Sequence, residues 1–406
     1  MRSAPPTREA KPTKEHLRLL LVVDSLDFGG AERYVVDLAV ALRRKGHEVT
    51  VACSVAGELS GPLQEAGIPV RSLLDRLVKR RFSVAFARKL RRLLKGGGFD
   101  LVHAHVYASA TAAAVATLGL NVPLAITEHS EGSWRTWHAR QMSRLVYRRA
   151  KQVVAVSSSI RRLLLEEYGV PPERVILVPN AVTADSDTTP GESPLFPDEW
   201  REGSLVGVVA QLKPEKGLST FLEAAACVSP LLPNVRFLVV GDGPLRGELE
   251  TSTEHLGLNQ RVPFLGFRSD ARALVELLDV LVVPSLSEGA PLIVLEALAA
   301  GIPVVASAVG GIPEQVRHER EGLLVPPGNA AALGNALLGL LRNPARARRL
   351  GDAGRQRWAS EFSHATMVRR VEAVYRTALG KPAAQAATLE ELELHTERQT
   401  PLGEES

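Results

Sequence analysis

The chain has little cysteine, few aromatics, little net charge and no long apolar run. Its 406 residues include two cysteines, Cys53 and Cys227, so no disulfide framework can be built. Both lie in apolar segments and read as buried thiols of a reducing compartment. Aromatics make up 5 % of the chain and do not interleave with its basic runs, which leaves no stacking surface for nucleic acid. The longest uncharged stretch, Val106–Ile126, is rich in Ala and Thr and is broken by Gly119, Asn121 and Pro123. It reads as a buried helix followed by a strand, not a membrane span. The apolar stretch Leu17–Val23 closes at Asp24, too short for a signal peptide with its cleavage site. Together these absences predict a cytoplasmic protein.

Hydrophobic residues at 45 % and charged residues at 23 % fit a globular chain. The length suits two or three domains of ~100–200 residues. The net charge of +4 hides an imbalance. Residues 1–180 hold 28 Lys+Arg and 16 Asp+Glu, whereas residues 181–406 hold 21 and 29. Opposite signs predict two domains with different partners, the basic one suited to an anionic membrane or phosphorylated ligands.

Leu19–Asp24 reads as a strand buried on both faces. A helix follows Gly29-Gly30, with Val35, Leu38, Ala39 and Leu42 as its apolar stripe and Gly46 at its end. Further strands are predicted at Glu48–Cys53, Leu101–His103, Leu124–Thr127 and Val153–Ser157. A second α/β series is predicted at Leu205–Ala210, Arg236–Val240, Val262–Leu265, Val280–Val283 and Pro303–Ala306. The expected organisation is a disordered tail (1–16), an α/β domain (17–184), a linker (185–203) and a second α/β domain (204–360). A C-terminal helix (361–380) packing back on the first domain and a disordered acidic tail (381–406) complete it.

The segment Pro284–Pro313, PSLSEGAPLIVLEALAAGIPVVASAVGGIP, concentrates the chemistry. A strand ends at Pro284, and a helix begins near Pro291 as its first residue. The N–H groups of Leu292 and Ile293 then face out of a helix N-terminus, an anion site suited to a diphosphate. Glu288 precedes that helix and Glu296 lies eight residues later. Phosphate repels a carboxylate, so sugar hydroxyls are its better partners. The plainer reading makes Glu288 a helix cap and Glu296 a solvated residue.

This segment resembles the E-x7-E signature of glycosyltransferase family 4, retaining enzymes of the GT-B fold. Other matches follow in order. GGAER (Gly29–Arg33) resembles the glycine loop, and LVHAH (Leu101–His105) and TEH (Thr127–His129) resemble two active-site strands. VPN (Val178–Asn180) resembles the entry to the linker, and QLKPEKG (Gln211–Gly217) the phosphate-binding lysine motif. VVGDGP (Val239–Pro244) and FLGF (Phe264–Phe267) resemble the nucleotide-side strands, and GLLVPPGN (Gly322–Asn329) closes the set.

The resemblance implies an α/β fold of two tandem Rossmann-like domains facing across a cleft. It implies metal-independent transfer of a hexose-type sugar, with retention, from a nucleotide diphosphate sugar. The acceptor would be a glycan or lipid-linked sugar in cell-surface polysaccharide or glycolipid synthesis. No cofactor is implied. Lys216 would neutralise the diphosphate, Glu288 would bind donor-sugar hydroxyls and Glu296 the ribose. His129 would lie near the reacting carbon, or else be a buried structural histidine. Gly29, Gly30, Gln211, Gly241, Phe267, Leu292 and Ile293 would complete the donor site. The family usually carries Arg five residues before the Lys; here Gln211 stands there, so Arg33 or another basic residue would have to replace that charge. Two alternatives are a nucleotide-sugar epimerase or hydrolase on the same fold and a non-catalytic sugar-nucleotide-binding subunit.

Asp185-Ser186-Asp187 is a D-x-D in the predicted linker and reads as chance. Gly241, Gly243 and Gly247 are spaced one residue too widely for a dinucleotide fingerprint. His103 and His105 share a strand face but lack the further ligands a metal would need. Finally, residues 76–95 carry nine basic residues and no acid. With Ser83 as N-cap, Phe86, Leu90 and Leu93 form one stripe and Arg81, Arg88, Arg92 and Lys95 another. This suits either a solvated face or docking on an anionic membrane, with a second basic set at Arg135, Arg140, Arg144, Arg148, Arg149 and Lys151.

Overall fold

A computed structural model describes residues 16–27, 29–78, 82–132, 135–183, 203–268 and 270–381. The expected linker with its D-x-D, almost all of both tails, and Lys79, Arg80 and Arg81 of the basic segment lie outside these residues.

The first sheet holds β1 (Arg18–Ser25), β2 (Glu48–Val55), β3 (Val70–Ser72), β4 (Leu101–His105), β5 (Leu124–Glu128), β6 (Gln152–Ala155) and β7 (Val175–Leu177). The second holds β8 (Leu205–Val209), β9 (Arg236–Val240), β10 (Val280–Val283), β11 (Val304–Ser307) and β12 (Gly322–Val325). All pairings are parallel, in the orders β3-β2-β1-β4-β5-β6-β7 and β12-β11-β10-β8-β9. Parallel sheets need cover on both faces, which explains the continuous apolar runs: Leu19 to Ser25 of β1 are all buried. Each sheet has one strand where the order reverses, β1 beside β2 and β4, and β8 beside β9 and β10. Ligands of such sheets bind at the carboxyl ends of strands at these switch points.

The helix Gly30–Arg44 carries the expected stripe and adds Glu32, Tyr34 and Val36 to its buried set. The C-terminal helix His364–Ala378 buries Met367, Val368, Val371, Val374 and Tyr375 in the core of the first sheet. The chain therefore crosses between lobes a second time, near Ser363, where Val182 and Ser363 form a bridge. Among the described residues no helix is long and apolar enough to cross a membrane.

Several expectations are corrected. Val262–Leu265 is not a strand: it bridges β9 only at Val239–Phe264, because Pro263 has no N–H to continue the ladder. Pro291 caps its helix rather than starting it; Leu292 is the first helical residue. Cys227 is exposed, since on the helix Leu218–Val228 the buried positions 221, 222, 224, 225 and 228 turn it outward. In the basic helix Val84–Gly97, Leu94 rather than Leu93 completes the buried stripe with Phe86, Ala87 and Leu90. Of the second basic set only Arg135 is removed from the surface, buried against Glu128; Arg140, Arg144, Arg148 and Lys151 are exposed, with Arg140 and Arg144 bonding Glu167.

Candidate active site

A cleft of about 410 Å³ lies between the carboxyl ends of the two sheets. Its walls come from the segments after β1, β4 and β5 on one side and after β8 and β10 on the other, the switch points of both sheets. Gly29, Gly30, His129, Gln211, Lys216, Glu288, Leu292 and Ile293 all line it.

On the C-terminal wall, Lys216 ends a single turn, Pro214–Lys216, and Gly217 follows in the left-handed region at φ 62°. A Cβ on Gly217 would sit 2.1 Å from the Pro284 carbonyl, so only glycine lets this turn approach the loop after β10. Leu286 N donates to Glu215 O at 2.8 Å and fixes the same approach. Lys216 Nζ thereby meets Glu288 Oε1 at 2.6 Å, and Ser285 Oγ donates to that oxygen at 2.8 Å. The helix Leu292–Ala300 opens immediately behind, its first amides facing the cleft.

The N-terminal wall is made of rings. His103, His105 and His129 stand in a ladder at the ends of β4 and β5, with ring centroids 4.1 and 5.4 Å apart. His103 bonds Tyr375 OH at 2.8 Å and Thr127 Oγ1 at 2.7 Å; His105 Nδ1 and His129 Nε2 are 3.1 Å apart. Burial favours the neutral form, pushing His103 down to about 3 and His129 to about 4, with His105 also well below its ordinary value. The ladder is a hydrogen-bonded stack. Among the described residues no three His, Cys, Asp or Glu side chains are arranged to share a metal ion. Glu128 is different: burial works to raise its carboxyl, yet Arg135, Tyr147 and Ser130 together hold it below its ordinary range. Arg135 Nη2 reaches Glu128 Oε2 at 2.5 Å, so this pair keeps its charges within the wall. Val106, following β4, has φ 60° and ψ 169°, a region that costs a side-chain-bearing residue about 1–3 kcal/mol. Asp24 accepts from Ser109 N at 2.8 Å and Ser109 Oγ at 2.7 Å and anchors the next helix.

The lobes meet at the rim. Asn180 Nδ2 donates to Ala290 O at 2.7 Å, and Ser287 Oγ to Glu131 Oε2 at 3.1 Å. A Cβ on Gly289 would lie 2.2 Å from His129 O, so glycine is required there for the walls to close to this distance.

The family models agree with this architecture. Glycosyltransferase Family 4 matches residues 28–186, and Glycosyl transferases group 1 matches residues 198–357. A phosphatidyl-myo-inositol mannosyltransferase of Mycobacterium leprae is 30 % identical over 370 residues, covering 86 % of this chain and 93 % of its own. This chain belongs to glycosyltransferase family 4. An alpha-maltose-1-phosphate synthase of Mycolicibacterium smegmatis is likewise 30 % identical over 382 residues, with 86 % and 95 % covered. A crystal structure of Anabaena Alr3699/HepE in complex with UDP and glucose superimposes with a TM-score of 0.76 at 23 % identity, covering 88 % and 98 %. The fold is GT-B and the protein is a glycosyltransferase.

Three residues expected at the donor site do not line the cleft of this family 4 enzyme. Gly241 packs behind the wall against the Ala210 carbonyl, and Phe267 is exposed. Glu296 is one turn inside its helix, half-buried; burial raises its carboxyl, while Arg272 and Arg33 pull it down. Arg33 bonds Asp37 at 3.2 Å and is not part of the cleft wall. A cation the sequence reading missed stands beside Gln211 instead: Lys213 Nζ donates to Gln211 Oε1 at 2.6 Å and lines the cleft. A three-residue turn, in which Lys213 N donates to Gln211 O at 2.9 Å, brings the two side chains together.

Proposed function

We propose that this glycosyltransferase moves a hexose-type sugar from a nucleotide diphosphate sugar to an acceptor hydroxyl, with retention and without a metal ion. The observation carrying this reading is the convergence of Lys216, Lys213, Glu288 and a helix N-terminus on one cleft faced by a neutral histidine. The leaving diphosphate gains negative charge as the glycosidic bond breaks. Lys216, Lys213 and the amides of Leu292 and Ile293 would stabilise that charge. In the resting state Lys216 is held by Glu288. Donor entry would transfer Lys216 to the phosphates and release Glu288 to accept from sugar hydroxyls. Lys213 would supply the charge that Gln211 lacks, which favours an active enzyme over a binding subunit.

The acceptor is read as a glycan or lipid-linked sugar, as the names of the M. leprae mannosyltransferase and of a Campylobacter jejuni N-acetylgalactosaminyltransferase acting on a PP-undecaprenol glycan suggest. An anionic membrane would present it. Two features support that placement: Arg88, Lys89, Arg92 and Lys95 are exposed on one helix, and a groove of about 790 Å³ is lined by Arg18, Arg43, Arg71, Lys89 and Arg92. The groove adjoins the amino ends of β1 and β2, roughly 20 Å from the cleft at ~3.3 Å per strand residue.

The test is incubation with UDP-, GDP- and ADP-sugars in the presence of a chelator, with lipid extract as acceptor. Release of one nucleoside diphosphate is expected. Release from no donor would overturn transferase activity in favour of a binding subunit, and release only after metal is restored would overturn metal independence.

A further inference from the structure

His129 reaches the cleft with one ring nitrogen already committed. Its Nε2 lies 3.1 Å from His105 Nδ1, and Nδ1 has no partner within the described protein. Both rings are neutral, so one shared proton must lie between them. His105 Nε2 settles on which side. It is buried and has no hydrogen-bond partner among the described residues. If His129 Nε2 donated, the only N–H of His105 would be that orphaned Nε2–H. If His105 Nδ1 donates, only a lone pair is left unpaired, and buried N–H groups without acceptors are the rarer defect.

We infer that His105 is a positioning residue that fixes His129 as its Nδ1–H tautomer, making His129 a hydrogen-bond donor into the cleft rather than a base. The surrounding rings hold the geometry. Tyr34 packs edge-on against His129 at 4.9 Å, His103 stacks on His105 at 4.1 Å, and Tyr375 of the C-terminal helix bonds His103. The partner of Nδ1–H would be an oxygen of the bound donor. That last step rests on the proposed transferase reading; the tautomer itself does not.

Long-range proton–nitrogen spectra of the 15N-histidine-labelled full chain test the inference directly. His129 is expected with a protonated Nδ1 and a bare Nε2; the opposite tautomer, or a mixture, overturns it. His105→Phe keeps a ring but removes the donor, and is expected to give mixed His129 tautomers and roughly five- to tenfold lower kcat. His105→Asn returns an N–H near the Nδ1 position and is expected to restore the tautomer and most of the rate. If the Phe variant retains both the wild-type tautomer and the wild-type rate, His105 does not position His129. If the Phe variant does not fold, the wild-type spectrum decides. A correct tautomer in an enzyme that turns over no donor would overturn the transferase reading and leave this inference standing.

Discussion

The N-terminal wall of the cleft presents neutral rings beside a locked Glu128–Arg135 pair, whereas the C-terminal wall presents charges that have somewhere else to go. His103, His105 and His129 are locked by stacking and hydrogen bonds at the ends of two buried strands. Lys216 and Glu288 sit on loops, with side chains 24 % and 10 % exposed, and hold each other. A ladder of neutral, over-determined rings cannot respond to a ligand, but it can keep a hydrogen-bond donor in place. A resting ion pair can respond, because a diphosphate offers Lys216 more negative charge than one carboxylate does. On the proposed reading, the difference teaches that electrostatic work falls to the lobe that would grip the nucleotide, and orientation to the lobe that would face the acceptor.

The sharpest way to break this comparison is to remove the cation. Lys216→Ala should lower kcat by about 10²–10³-fold, the loss typical of one preorganised stabilising group. Its unfolding midpoint should move little, because the pair is partly solvated. Steady-state kinetics beside thermal unfolding checks both, and a folded variant with wild-type kcat would contradict the assignment.

Acid should strike the ring wall first. Each histidine has a folded pKa below its unfolded value of ~6.5, so as pH falls the unfolded chain takes up protons before the folded one. The stabilisation is complete above that value and is lost as pH falls toward about 4 for His129 and about 3 for His103. Near pH 5 the three rings together should cost up to about 4 kcal/mol per pH unit. Urea unfolding between pH 7 and 5 should show it, and a flat profile would mean that the rings are charged or open.

A smaller effect is expected at the basic helix. Arg88→Ser with Arg92→Ser should weaken sedimentation with anionic vesicles by about 2 kcal/mol at low salt, at ~1 kcal/mol per charge, and leave turnover of a soluble acceptor intact. Equal binding to neutral vesicles would remove the electrostatic account. The smallest effect is at Lys213: Lys213→Ala should cost about tenfold in kcat/KM. Arg placed at Gln211 in that background should restore it; no rescue would mean that the two positions do not share a role.

Much of this was legible in the sequence because parallel strands are buried on both faces and leave uninterrupted runs such as Leu19–Val23. The helix after Gly30 and the capping Ser83 were legible from local rules, and Phe86 N does donate to Ser83 Oγ at 3.3 Å. The short edge strands β3 and β7, three residues each, carry too few positions to show a period. The candidate site was legible as an ordered set of motifs, and eight of the eleven residues expected there line one cleft. What could not be read was pairing. That Lys216 holds Glu288 and that Arg135 is buried on Glu128 depend on loop approaches set by tertiary packing. The ladder joining Tyr375 to His103 spans 272 positions of sequence, beyond any local pattern.

The claim that a donor must pull Lys216 away from Glu288 has one direct test, which is nucleoside diphosphate binding to Glu288→Gln measured by calorimetry. Removing the competing carboxylate while keeping its shape should tighten binding of the matching nucleoside diphosphate several-fold, even as sugar transfer falls by more than about 10²-fold. Binding that is unchanged or weaker in Glu288→Gln would contradict the account, because it would mean that the resting ion pair does not compete with the donor.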